Sequence, residues 1–130
     1  MSAGKAPDLT PEDKAAFVGY VKDWQARLGL QGWRISVSKK PAKNGNMAEL
    51  ASTDTPSLLA DIRLGVNWKG SPVTPHALEQ AAVHELLHVL LHELVEQAQS
   101  KAATHDELMT AQHRIINVLE VLLVPEHSEH

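Results

Sequence analysis

Residues 75–99 read PHALEQAAVHELLHVLLHELVEQAQ. The stretch holds no glycine, its one proline stands first, and Ala, Leu, Glu and Gln dominate it, a composition that predicts one long helix. Thr74 before Pro75 supplies a cap residue followed by proline at the first helical position. Within the helix stands His84-Glu85-Leu86-Leu87-His88, an HExxH motif. Residues four apart on a helix lie one above the other, so both imidazoles can reach one ion. Glu85 is rotated about 100° from His84 and belongs to a different face. Ala81-Ala82-Val83 and Val89-Leu90-Leu91 flank the motif without a charge, which suits a central helix whose polar stripe is a site.

Before this helix, Thr10-Pro11-Glu12-Asp13 starts another, with Phe17, Val21, Trp24 and Leu28 at helical spacing and Gly29 and Gly32 closing it. Trp33 to Ser38 alternates apolar and polar residues, as does Leu58 to Leu64, and Met47 to Thr53 is a weaker strand between them. Asn44-Gly45-Asn46 is turn chemistry, and Val66-Asn67-Trp68 extends the sheet in this reading. After a break at 99–103, Thr104 and Glu107 form a capping box for a last amphipathic helix that Pro125 ends. The fold class is therefore α+β. It has an N-terminal helix, a small three- to four-stranded, mostly antiparallel meander, the HExxH helix and a C-terminal helix. Residues 1–9 read as a flexible arm, 10–125 as a single domain and 126–130 as a polar tail.

The chain has 130 residues, enough for one core. With 43% apolar and 22% charged residues it reads as globular, and a net charge of -4 argues against nucleic-acid binding. The N-terminus lacks an apolar signal segment and no run is long enough to span a membrane, so the cytoplasm is the expected compartment. There is no cysteine, which excludes disulfides, thiol nucleophiles and thiolate metal sites, whereas there are eight histidines. A chance HExxH in such a chain arises on the order of a few per cent of the time.

Zinc favours nitrogen ligands, and its catalytic sites hold three protein ligands and one open position. His84 and His88 are two such ligands, and Glu85 is placed as general base for a water activated by the metal. His92, His105 and His113 are candidates for the third. His92 lies a further turn along the same helix and would have to bend back about 6 Å. His105 sits in a first helical turn, as does His76. Folding the last helix back across the break near 100–103 pairs positions summing to about 202, which brings His113 level with His88. His113 also reads as a solvated residue on the flank of its apolar stripe. Tyr20, His92 and Arg114 are candidates to stabilise an oxyanion, and the sequence does not choose among them. Trp24, Trp33 and Trp68 read as core or sheet-capping aromatics. Glu126, His127 and Glu129 in the tail are a further, inhibitory alternative.

VHELLHVLL (Val83 to Leu91), followed by QHRIINVLEVLL (Gln112 to Leu123), resembles the zincin metallopeptidases. It is similar to the small gluzincin-like proteins, or minigluzincins, and to short HExxH metallopeptidase-like proteins of phages and prophages. Those families place a glutamate on the downstream helix as third ligand. Here the matching pair is Gln112-His113, so the resemblance implies a His₃ set of His84, His88 and His113. It also implies that Leu58 to Leu64 binds an extended substrate by strand addition. The metzincin extension fails, because Leu91 and Leu94 stand at its glycine and histidine positions. The expected function is that of a zinc-dependent hydrolase, a metallopeptidase acting on a peptide or protein substrate with Zn2+ as cofactor. The alternatives are a non-catalytic zinc-binding interaction protein of phage type and a repressor-cleaving regulatory protease.

Overall fold

A computed structural model describes residues 8–43, 46–54 and 56–123. Residues 1–7 of the expected arm over 1–9, the Asn44-Gly45 step of the turn, the Pro125 stop and the tail with its alternative ligands lie outside these. Three helices and three strands follow in the order α1 (Pro11–Arg27), β1 (Arg34–Val37), β2 (Ala48–Asp54), β3 (Leu59–Leu64), α2 (Pro75–Gln99) and α3 (His105–Leu123). The class is α+β, as the sequence implies.

Local chemistry sets the helix ends. The Thr10 hydroxyl accepts from Asp13 N at 3.1 Å while the Asp13 carboxylate accepts from Thr10 N at 2.9 Å, so α1 opens on a capping box. It closes at Gly29, whose φ of 69° is free of steric penalty only for glycine. There Leu30 N donates to Gln25 O at 2.9 Å and Gly29 N to Ala26 O at 3.1 Å, the paired bonds of a Schellman motif. Thr74 caps α2 through Ala77 N at 3.1 Å, and Thr104 and Glu107 cap α3 reciprocally at 3.0 and 3.1 Å.

The sheet is mixed, in the order β1-β3-β2. β3 pairs parallel with β1 and antiparallel with β2, so the strands do not form the expected meander. β3 takes the centre because its inward side chains, Ala60, Ile62 and Leu64, are all buried. The parallel β1–β3 pair needs a long connection, and the segment containing β2 provides it. Val66 to Trp68 does not extend the sheet. Instead the Val66 carbonyl accepts from Leu9 N at 2.7 Å and Trp68 turns inward to 5% exposure. The core joins Phe17, Val21 and Leu28 of the α1 segment to Ile62 of β3 and to Leu78, Ala82, Leu86 and Val89 of α2. α2 thus lies centrally, touching α1, β2 and α3. Among the described residues no helix is long and apolar enough to cross a membrane.

At Gly65 an added Cβ would meet Asn46 O at 2.3 Å, because the backbone crosses the entry to β2 at close range. At Gly19, within α1, nothing lies within 4 Å. In chemical denaturation Gly65→Ala should cost about 1–3 kcal/mol. Gly19→Ala should gain about 0.5–1 kcal/mol.

Candidate metal centre

Which neighbour each face of α2 meets determines the site. His84 and His88 are both exposed, and their rings stand edge to face with centroids 5.0 Å apart. Two imidazoles at this spacing, open to solvent and without a thiolate rival, fit a nitrogen-preferring metal such as zinc. Glu85 faces the other way and is only 5% exposed. Its carboxylate lies near the Leu50 amide of β2. Burial raises the Glu85 pKa above its ordinary value, against the opposing pull of His84, His88 and the Leu50 amide. Leu50 lies at the register shift between Leu50 and Ser52, where Ala51 has no partner in β3.

His113 is not brought to this pair. Arg114 of α3 is ion-paired to Glu93 of α2. Equal rise from that contact puts His113 level with residue 94, about 9 Å along the axis from His88. The sequence-based register centres the turn near residue 101, whereas the Arg114–Glu93 pair centres it between 103 and 104, within the connection that follows Gln99. Two rotations widen the gap. Glu93, which α3 meets, is turned about 140° from His88 and about 180° from His84 around α2. On α3 the buried side chains are Ala111 and Ile115, and His113, two positions from each, is turned about 160° away from them. Its Nδ1 donates instead to the Met109 carbonyl of its own helix at 2.8 Å. Among the described residues, no group of three or more His, Cys, Asp or Glu side chains stands close enough to hold a metal.

The other candidates have local roles. His92 Nε2 lies 3.3 Å from Glu96 and 3.4 Å from the Thr53 hydroxyl, with its ring edge-on to Trp33, so it joins α2 to β2. His76 and His105 are exposed in the first turns of α2 and α3. Tyr20 packs against the core, and Arg114 is engaged by Glu93. The tryptophans are structural: Trp24 Nε1 donates to Glu79 at 2.7 Å, Trp33 packs on the core and Trp68 lies within it. β3 cannot accept an added strand, since both its edges are paired over Leu59 to Ile62. β2 has a sheet partner on one side only and packs against α2.

Sequence reasoning misses the Leu50 amide and a cavity of about 540 Å³ beside His84 and Glu85. Gly65 directly after an alternating strand was the available signal, since a glycine there marks close backbone approach. No family model, curated protein or solved structure matches the chain.

The raised Glu85 pKa has a definite sign in stability. The folded state holds this proton more tightly than the unfolded chain, whose glutamate titrates near about 4.3. Stability of the metal-free protein from this group therefore falls as pH rises from that value through the raised folded pKa. Denaturation of the metal-free Glu85→Gln variant should show greater stability than the parent at neutral pH, with the gap closing in acid.

Proposed function

We propose that the chain is a zinc-dependent hydrolase that cleaves peptide bonds. The paired, exposed rings of His84 and His88, with Glu85 buried one step around the same helix, are the observation that carries this reading. His84 and His88 would hold the metal, and His113 has no part in it. Zinc at such a site supplies Lewis acidity that polarises a carbonyl and makes water a stronger nucleophile near neutral pH.

Glu85 serves as general base in this account. Its surroundings favour the neutral acid more than water does, so the carboxylate is a better proton acceptor than an exposed glutamate. The carboxylate is buried on the side of α2 that meets β2, near the Leu50 amide. A peptide running beside β2 would therefore meet the base and the imidazole pair together.

A metal-binding role without hydrolysis is the second reading. It is favoured by the count of donors, two imidazoles without a third protein ligand among the described residues. Metal analysis and a protein-cleavage assay on the same variants separate the two. About one zinc per chain should bind, be lost in His84→Ala and in His88→Ala, and persist in His113→Ala. Glu85→Gln should keep zinc and lose about 10²–10⁴-fold in cleavage rate. Zinc binding with no cleavage by the parent would favour the second reading.

A further inference from the structure

Between Asp23 and Glu49 the chain carries no acidic residue and five basic ones, Arg27, Arg34, Lys39, Lys40 and Lys43, although its net charge is -4. Lys39 and Lys40 meet Lys14 of α1 around a cavity of about 310 Å³ that no acidic side chain lines. It shares no lining residue with the cavity beside His84 and Glu85. Its backbone is anchored at three points. Ser38 N donates to Ile62 O at 2.8 Å and Ala42 N to Leu64 O at 3.1 Å, so the loop bearing both lysines is held to β3 at each end. Leu9 N donates to Val66 O at 2.7 Å, which ties the entry of α1 to the exit of β3. Thr10 and Ser38 also line the cavity. The Thr10 hydroxyl accepts from Asp13 N at 3.1 Å and the Ser38 hydroxyl from Lys40 N at 3.0 Å, so each keeps its hydrogen to donate.

Among the described residues none of the three lysines is ion-paired. Asp8 and Asp13, which flank this stretch of chain, are engaged otherwise: Asp13 accepts from Thr10 N at 2.9 Å and Asp8 from Asn67 Nδ2 at 3.1 Å. Like charges gathered round one cavity repel one another, and an anion with several charges and several oxygens relieves that repulsion. A phosphate group offers about two charges and three acceptor oxygens, more of both than a carboxylate. From this we infer that the cavity binds the phosphate group of a small phosphorylated ligand through Lys14, Lys39 and Lys40. Its volume suits one small ligand. The inference is independent of the hydrolase reading.

The full chain, labelled with nitrogen-15 and kept free of metal so that phosphate cannot report on zinc at His84 and His88, is titrated at one ionic strength. The probes are pyrophosphate, acetate and a single-stranded oligonucleotide. Pyrophosphate should shift the Lys14, Lys40 and Gly65 amides saturably, with affinity about tenfold or more above that of acetate, and added sodium chloride should weaken it. The double variant Lys39→Gln, Lys40→Gln should bind pyrophosphate at least about tenfold more weakly. Lys101→Gln, in the connection between α2 and α3, should bind it as the parent does. Acetate binding equal to that of pyrophosphate, shifts spread over Lys22 and Lys101, or unchanged affinity in the double variant overturns the inference. So does tighter binding of the oligonucleotide with shifts reaching Arg34 and Lys43, which would make this a nucleic-acid surface. The parent chain alone decides the matter if the double variant misfolds.

Discussion

Each residue of α2 turns about 100° from the one before it, and this rotation distributes the work of the helix among its neighbours. Leu78, Ala82, Leu86 and Val89 are buried in the core, and Glu85 beside that stripe is carried against β2. His84 and His88 remain in solvent, since among the described residues no element packs over their face closely enough to bury them. Had the motif been shifted by one position towards the C-terminus, both imidazoles would fall at the buried positions 85 and 89. The chemistry of the site therefore depends on the same apolar stripe that holds the fold together.

The contact between Glu85 and the Leu50 amide links that rotation to the sheet. A buried carboxylate needs a donor, and an edge strand has backbone amides without sheet partners. The bulge at Ala51 interrupts the β2–β3 ladder next to this contact. The Thr53 contact with His92 lies further along the same two elements, so β2 and α2 meet twice. Together these contacts keep the base at the open edge of the sheet.

Much of this was legible in the sequence, and the division has a physical cause. The helix starts at Pro11, Pro75 and His105 were readable because caps and first-turn prolines act over four residues. The HExxH spacing was readable for the same reason. Strand order was not, since β1 pairs with a strand that follows β2, and alternation marks a strand without naming its partner. The position of His113 failed on both rise and rotation. The buried pair Ala111 and Ile115, continued by the partly buried Val118 and Leu122, would have put His113 on the far face, had that stripe been preferred to a register counted from an assumed turn. Arg114–Glu93 settles the register and is a long-range contact that local pattern does not reveal.

The central claim is that His84 and His88 act together as a metal-binding pair on one face of α2. Anomalous diffraction at the zinc edge, from crystals of the full chain loaded with zinc, tests it most directly. The account predicts one strong peak at about 2.0–2.1 Å from a ring nitrogen of each histidine and none at His113. A peak bound to His113 or to other residues, or none at all at saturating zinc, would contradict it.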